Sequence, residues 1–473
     1  LTMLAFVFLG GAAIVWNDRI RWSVVGPLVV AVAIGLAMFV YLRRLEHGWP
    51  YFELGAFYVA ILLLYIAYPI VLYIVNGYRY PEYGDWRLIA VEHRPEVLGT
   101  MIWWYVLYLA SFCAAYVVVR GRRVLREHFR VRPPEPGSAT ILAIVMLLVG
   151  ARLFFVVLGF FYDMSAASYG DQYLVWRQLP HFVGQIAAQI QGIEITLEMM
   201  LAVALCCGSR KHRTILALLL LALVAWHMIR PGSRTELFVV FLAAVAAYHF
   251  AVARIPFRWM AATAVTGFGI MAFIGAVRQT TTFEFRDIGN KMAAATEFET
   301  ILGNAVHLKY VAQVPGAFID RPNLYWADLL AAVPQQFLPF PKETAALWYM
   351  RTYFREQYEA GGGLAFGLLA EGVMGHGWVE MIWRGLLVGA LFALFHRLLT
   401  RPNVGVGYLM FYIWMIAWCY QTIRTGTFSL LMLMNYRFLV PLLAWKALAM
   451  LIRRGKRVAQ VLGAPPRPRR LAA

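Results

Sequence analysis

Residues 214–250, TILALLLLALVAWHMIRPGSRTELFVVFLAAVAAYHF, form two apolar runs separated by a short polar turn. Each run approaches the length of about 20 residues with which an α-helix crosses the hydrocarbon of a bilayer. The turn keeps Arg230 and Arg234 beside these runs, although a guanidinium within hydrocarbon costs a few kcal/mol or more. The stretch predicts two antiparallel membrane helices with a pair of arginines where they meet.

The same pattern of long apolar runs extends over the whole chain. Of its 473 residues, 61% are hydrophobic and only 14% are charged, whereas a soluble domain carries about 25% charged residues. This composition excludes a soluble globular protein and predicts an all-α polytopic membrane protein with about 12 transmembrane helices. The predicted spans are 1–16, 23–42, 54–76, 101–119, 141–162, 183–206, 214–229, 237–253, 259–277, 379–398, 405–422 and 429–450.

Basic residues concentrate in short loops between the apolar runs. The chain has 43 Lys and Arg against 25 Asp and Glu, but no separate basic domain that would hold a nucleic acid. The loops 120–134 and 209–213 and the tail from residue 453 are basic. All three fall on the cytoplasmic side if the chain starts there, as the positive-inside rule requires. We therefore expect both termini in the cytoplasm and the arginine pair of residues 230 and 234 on the outer face.

The predicted topology divides the chain into four parts. Residues 1–277 hold nine spans, 278–378 form a long extracytoplasmic loop, 379–452 hold three spans, and 453–473 form a disordered basic cytoplasmic tail. A loop of about 100 residues without a role is uncommon. Within it, residues 292–312 have the periodicity of an amphipathic helix lying on the membrane. The loop is therefore where we expect the functional site.

Arginines near the predicted outer surface suit a ligand that carries phosphate groups. A guanidinium stays charged at any physiological pH and binds phosphate oxygens bidentately. A lipid-linked diphosphate presents such oxygens at headgroup depth, and arginines stabilise the charge that develops when it departs. We expect the diphosphate to contact first Arg278 and Arg234, then Arg230, Arg286 and Arg351, with Arg424 and Arg437 as further candidates.

Two ionisable residues before the tenth predicted span are candidates for acid–base chemistry. Glu371 lies in an otherwise apolar segment near the outer interface, where an ionisable side chain is a functional hypothesis by default. A carboxylate or an imidazole there would deprotonate an attacking sugar hydroxyl, so Glu371 is the first candidate and His376 a local second. The sequence contains no Asp-x-Asp pair, so we expect a reaction without a metal, a nucleotide or another cofactor.

Three segments, taken in order, resemble one family of membrane enzymes. They are PGSRTELFVVFLAA (231–244), VPQQFLPFPK (333–342) and GLAFGLLAEGVMGHGWVEMIWRGLLVGALF (363–392). These segments are similar to parts of the bacterial O-antigen (oligosaccharide repeat-unit) polymerases, the Wzy family. The resemblance extends over residues 220–400.

The resemblance implies an enzyme with a GT-C-like helical fold in the bacterial inner membrane. Such an enzyme moves a growing glycan from undecaprenyl diphosphate onto a lipid-linked repeat unit at the outer face. The resemblance assigns Ser233-Arg234 to a Gly-Ser-Arg element, Lys342 to a Pro-Lys element that joins the diphosphate set, and Glu371 to the acid before a Gly-x-Gly. Arg278 lies where relatives place a functional arginine, whereas His376 departs from the family pattern. The implied partners are undecaprenyl-diphosphate-linked oligosaccharide, membrane lipids and a chain-length regulator protein.

Other interpretations of these features stay open. Arg230 and Arg234 can also be interpreted as residues that end helices and extend their charged groups to the membrane interface. Arg278 can be interpreted as a cation that stabilises a helix C-terminus. Glu371 would also serve as the partner of an outer arginine, and His376 as an interfacial packing residue. An O-antigen ligase would use the same donor with lipid A-core as the acceptor. A flippase for lipid-linked oligosaccharides is a different class of protein, and it is disfavoured because the charges gather at the outer interface.

Two charged residues within predicted spans are interpreted as a structural pair. Arg152 and Glu194 each lie eleven residues from an end of their spans, which places both near the membrane midplane at about 1.5 Å per residue. We predict that they form an ion pair, with Glu198 one turn deeper as the alternative partner. His307, on the predicted amphipathic helix, is expected to be solvated.

Overall fold

A computed structural model describes most of the chain as helices and turns, without a β-strand in the described part. The described residues are 21–46, 50–80, 85–90, 94–121, 138–162, 179–207, 210–229, 234–279, 296–318, 320–331, 333, 338–340, 343–359, 365–400 and 405–462. The first predicted span, 1–16, lies outside them.

The helices follow the apolar runs of the sequence, since a backbone in hydrocarbon must satisfy its hydrogen bonds internally. In chain order they are α1 (Trp22–Glu46), α2 (Leu54–Val75), α3 (Trp86–Ile89), α4 (Pro95–Arg120), α5 (Ser138–Phe161), α6 (His181–Cys207), α7 (Arg210–Ile229), α8 (Arg234–Ala251), α9 (Phe257–Gln279), α10 (Thr296–Val311), α11 (Leu324–Ala331), α12 (Ala345–Tyr353), α13 (Arg355–Glu359), α14 (Leu368–Met374), α15 (Trp378–Leu399), α16 (Val406–Trp418), α17 (Gln421–Arg424), α18 (Ser429–Met434) and α19 (Val440–Leu462). A π-helical turn, Asn435–Leu439, joins α18 to α19.

Seven helices of the described part are long and apolar enough to cross a membrane. They are Trp22–Leu45, Leu54–Val75, Pro95–Arg120, Ala139–Phe161, Phe182–Cys207, Trp378–Leu399 and Ser429–Gly455. Two shorter apolar stretches, Arg213–Leu223 and Leu237–Ala251, lie at further predicted spans. The prediction of an all-helical membrane protein is therefore confirmed, while the count of about twelve spans stays a prediction.

Helices α4 and α15 pack with their backbones close together. Gly385 and Gly389 lie one turn apart on α15, and a Cβ added at Gly385 would be 2.6 Å from the carbonyl oxygen of Tyr108. A Cβ added at Gly389 would overlap the carbonyl oxygen of Phe112. Small residues four apart allow membrane helices to approach and to gain van der Waals contact. The pair holds the first turns of α15 in a fixed position.

The antiparallel helices define two ends of the bundle. At the end that we call the loop end, the guanidinium of Arg21 donates a 2.7 Å hydrogen bond to the hydroxyl of Tyr73 near the end of α2. At the opposite end, the carboxylate of Glu53 accepts hydrogen bonds from Tyr116 and Arg120 of α4. Arg120 was expected in a basic cytoplasmic loop, but its side chain is 0% exposed, because Glu53 neutralises it inside the bundle.

Helices α10 and α14 pack against each other and belong to the long loop between α9 and α15. The amphipathic helix predicted at 292–312 is present as α10, and residues 301–306 of it are buried by protein. His307 was expected to be solvated, but it is half-buried and its Nδ1 lies 2.9 Å from the hydroxyl of Tyr349. Burial and the charge of Arg87 lower the pKa of His307, so it packs as a neutral side chain.

A buried polar cluster ties the segment before α3 to α10. The backbone N–H of Asp85 donates a 3.0 Å hydrogen bond to Glu299, and Nε of Arg87 donates a 2.7 Å hydrogen bond to Asp85. Asn304 of α10 accepts from the same arginine. Burial, together with the charge of Asp85, raises the pKa of Glu299 to about 7. The cluster anchors the long loop to the bundle.

The charged residues of α5 and α6 meet inside the bundle. Arg152 forms an ion pair with Glu194, and its Nη2 lies 3.3 Å from Glu198. Both carboxylates are almost fully buried, with side chains 4% and 0% exposed. The structure therefore contains the predicted contact and the alternative one together.

Candidate functional site

The carboxylate of Glu371 is held in one position at the loop end of the bundle. Its residue is buried in the short helix α14, with 3% of its surface exposed. Oε2 accepts hydrogen bonds from Nη1 of Arg384 at 2.7 Å, from the backbone N–H of Thr427 at 3.0 Å and from the Thr427 hydroxyl at 3.1 Å. Three donors on one oxygen stabilise the ionised form of this buried group.

The turn between α17 and α18 is shaped around this carboxylate. Gly426 has a φ of +132°, a conformation that side chains with a Cβ rarely adopt. A Cβ at this position would also overlap Oε1 of Glu371. A glycine is therefore needed here, both for the backbone angle and for the close approach of the Glu371 side chain.

Arg384 is the centre of the cluster. It lies in the second turn of α15, and its side chain is 0% exposed. Nε donates to Glu380 at 2.7 Å, one turn earlier on α15, and Nη1 lies 2.7 Å from Glu371 and 3.7 Å from Oδ2 of Asp328. Nη2 is buried without a hydrogen-bond partner among the described residues. One guanidinium thus meets three carboxyl groups, which we call the Arg384 cluster (Asp328, Glu371, Glu380 and Arg384).

Asp328 is the most accessible carboxyl group of the Arg384 cluster. It lies on α11, and its side chain is 21% exposed, against 4% for Glu371 and 0% for Glu380. Burial and the charge of Glu371 raise the pKa of Asp328 to about 8, against the opposing charge of Arg384. Burial also raises the pKa of Glu371, again opposed by Arg384. With three carboxyl groups around one arginine, the Arg384 cluster retains a proton near neutral pH.

Aromatic rings surround the Arg384 cluster. The hydroxyl of Tyr325, one turn before Asp328, donates a 3.0 Å hydrogen bond to Glu380. The Tyr325 ring is stacked with the exposed His376 at a centroid distance of 6.4 Å. The guanidinium carbon of the cluster lies 5.0 Å from the Trp383 ring and 5.5 Å from the Phe428 ring. These rings cover the cluster and present apolar faces at its rim.

The predicted diphosphate-binding residues are only partly described. Arg230, Arg286 and Lys342 lie outside the described residues. Arg234 begins α8 and Arg278 lies in the last turn of α9, but their side chains are also outside the description. The remaining member of the set is exposed Arg351, which forms a 2.7 Å ion pair with Glu343. Their binding of a diphosphate stays a prediction.

The two further arginine candidates lie near the C-terminal helices. The guanidinium of Arg437, in the π-helical turn, is 4.8 Å from the centre of the Trp418 ring. Its backbone carbonyl accepts a hydrogen bond from Thr196 of α6. Arg424 ends α17, close in sequence to the turn that holds Glu371. Neither guanidinium has a described contact with the Arg384 cluster.

Three members of the Arg384 cluster were missed in the sequence. Glu380 and Arg384 lie within the predicted span 379–398 with the i, i+4 spacing of a helical ion pair. An arginine in a span was a usable signal, since intramembrane charges are rare and functional. Asp328 lies in a short loop helix whose packing on α15 no local pattern reveals.

A groove of about 400 Å³ lies elsewhere, between α6 and α7. Its lining residues are Leu205, Arg213, Thr214, Ala217, Leu218 and Leu221. This lining has one charged side chain and no carboxylate, so it offers hydrocarbon contact rather than acid–base chemistry. The Arg384 cluster is therefore the better candidate for a reactive site.

Comparison with protein-family models, curated proteins and solved structures gives no match to this chain.

Proposed function

We propose that the protein is a polysaccharide polymerase of the O-antigen type, a metal-independent membrane glycosyltransferase. It would transfer a growing glycan from undecaprenyl diphosphate to a lipid-linked repeat unit at the outer face of a bacterial inner membrane. The observation that carries this proposal is the Arg384 cluster at the loop end, in which Glu371, the acid marked by the family resemblance, is held against the central Arg384.

The chemistry of glycosyl transfer fits such a cluster. An attacking hydroxyl must lose its proton, and a carboxylate whose pKa lies near the working pH is an efficient acceptor. The Arg384 cluster supplies a carboxyl group of this kind, because burial and the charge of Glu371 raise the pKa of Asp328 to about 8. The aromatic rim formed by Tyr325, His376 and Trp383 supplies flat faces on which the C–H faces of a pyranose ring pack.

We assign binding of the diphosphate to arginines outside the Arg384 cluster. Arg384 already faces the carboxyl groups of Glu371, Glu380 and Asp328. These carboxyl groups would repel a diphosphate. Arg278 and Arg234 remain the first candidates to bind the diphosphate, and Arg230, Arg286, Arg351 and Lys342 the next. In this proposal the carboxyl groups handle the acceptor sugar and the outer arginines handle the leaving group.

The test is polymer growth by the purified protein in proteoliposomes without an ion gradient. The only substrate is a polyprenyl-diphosphate-linked repeat unit, and the products are separated by length. We expect a ladder of multiples of the repeat, and a ladder that grows more slowly with Glu371→Gln at equal protein level. The control is Arg355→Gln, because Arg355 belongs to an exposed ion pair with Glu359. Failure to form a ladder, with product only when lipid A-core is added, would identify a ligase instead.

A further inference from the structure

Two buried polar atoms of the Arg384 cluster lack hydrogen-bond partners among the described residues. They are the donor Nη2 of Arg384 and the acceptor Oδ2 of Asp328. Nη1 of the same guanidinium is 3.7 Å from this Oδ2, too far for a good hydrogen bond. Nη1 and Nη2 share one carbon, so the unmet donor belongs to the same guanidinium that faces the unmet acceptor. A buried polar atom without a partner destabilises the fold, and a ligand group that pairs with both atoms would remove this penalty.

The chemistry of these two atoms selects a hydroxyl group. A hydroxyl accepts a hydrogen bond from Nη2 and donates its proton to Oδ2. A phosphate oxygen accepts only, and it would be repelled by the carboxylates of Glu371 and Glu380. An ammonium group donates only, and it would leave Nη2 of Arg384 unmet.

Glu371 is poorly placed to remove a proton from a ligand. Its Oε2 already accepts three hydrogen bonds, and its side chain is 4% exposed. The backbone at Gly426 closes over the other oxygen. Asp328 has the larger side-chain exposure, 21%, and its buried Oδ2 accepts no hydrogen bond from the described residues, so among the three carboxyl groups it is the one nearest to a bound ligand.

We propose that Asp328 is the catalytic base of the transferase and that Nη2 of Arg384 positions the attacking hydroxyl of the acceptor sugar against it. This inference rests on the proposed function. Glu371 and Glu380 are positioning residues, since each holds a nitrogen of Arg384. Asp328 thereby replaces Glu371 as the first candidate for the base.

The proposed step is a displacement at the anomeric carbon of the donor glycan. The hydroxyl oxygen forms a bond to the anomeric carbon of the donor glycan, while the bond from that carbon to the diphosphate oxygen breaks. The diphosphate leaves on its polyprenol with the electron pair of that bond. The hydroxyl proton passes to the carboxylate of Asp328. It then passes to water, because the Asp328 side chain is 21% exposed. The step requires no oxidant, reductant or metal.

The groups that face Asp328 set the pH at which it accepts a proton. From α15 they are Arg384 and Glu380, and from α14 Glu371. Tyr325 of its own helix donates its hydrogen bond to Glu380. The neighbouring helix α18 has no ionisable side chain in its sequence. Because the folded pKa of Asp328 is raised to about 8, the base is ionised at high pH, and the rate should fall about tenfold per unit as the pH drops below 8.

The experiment compares polymer growth by wild type, Asp328→Asn and Glu371→Gln between pH 6 and 9, with Asp320→Asn as the matched control at an exposed loop aspartate. We expect Asp328→Asn to lose about 10²- to 10⁴-fold in rate while a fluorescent lipid-linked repeat unit still binds. In Glu371→Gln, the loss of a neighbouring negative charge should shift the acid limb to lower pH.

The outcomes separate the two proposals. Polymer growth by wild type, with Asp328→Asn within about threefold of it and an unchanged pH profile, would overturn only the role of Asp328. Absence of polymer with wild type would instead remove the proposed function. If Asp328→Asn does not fold, Asp328→Glu decides: we expect it to be active with an altered acid limb, and a wild-type rate and profile would refute the assignment.

Discussion

Arg384→Met tests whether the Arg384 cluster is an ion-pair network or an incidental contact. The side chain of Arg384 is 0% exposed and makes 2.7 Å contacts with Glu371 and Glu380, whose side chains are 4% and 0% exposed. Methionine fills similar volume but leaves both carboxyl groups without their cation. Removing one partner of a buried pair costs about 3–5 kcal/mol, a large share of the roughly 5–15 kcal/mol by which native proteins are stable.

The assay is unfolding by SDS in mixed micelles, followed by tryptophan fluorescence. We expect Arg384→Met to lower the free energy of unfolding by this amount, and Arg384→Met combined with Glu371→Gln to lower it by less than the sum of the single changes. A coupling of about 0.5–3 kcal/mol is typical of residues in one network. Arg355→Met, in the exposed pair with Glu359, should leave the transition unchanged. Wild-type stability of Arg384→Met, or strict additivity with Glu371→Gln, would refute this account of the cluster.

Three further changes test other contacts. Gly426→Ala should abolish polymer growth, since its Cβ overlaps Glu371; activity near that of wild type would show that the turn moves freely. Arg152→Ala should reduce the yield of monodisperse protein more than substrate binding, because it removes the guanidinium that pairs with the buried carboxylates of Glu194 and Glu198; a stable, monodisperse variant would contradict this. Glu299→Gln should stabilise the protein by up to about 3 kcal/mol at pH 8 and little at pH 5, measured by thermal unfolding. Burial raises the folded pKa of Glu299 from 4.5 to about 7, so the fold loses stability as the pH rises from 4.5 to 7, and the loss is complete above that range. Equal effects of Glu299→Gln at both pH values would disprove it.

Most of the helices could be predicted from the sequence because spans in hydrocarbon are set by length and composition. Helices α2, α5 and α15 begin and end within a few residues of predicted spans. Arg120 shows the limit of this reasoning. It ends an apolar run, and its positive charge predicts a position in a cytoplasmic loop. It is nevertheless buried, because Glu53, 67 residues away, provides a carboxylate.

The candidate site was predictable only where one residue carries the signal. Glu371 stood out as an acid in an apolar segment. Its partner Thr427 is 56 residues away, and the contact between Asp328 and Arg384 depends on how the long loop folds back onto α15. Such contacts follow from tertiary packing, and a single sequence gives no period or spacing that reveals them.

The stoichiometry of polyprenyl diphosphate release tests the central claim most directly. Purified protein in proteoliposomes is given one lipid-linked repeat unit, and both new glycosidic bonds and free polyprenyl diphosphate are quantified by mass spectrometry. We expect one diphosphate released for each bond formed, and both products to form about 10²- to 10⁴-fold more slowly with Asp328→Asn. Movement of the intact lipid-linked unit across the bilayer, with neither bond formation nor diphosphate release, would contradict it and indicate a flippase.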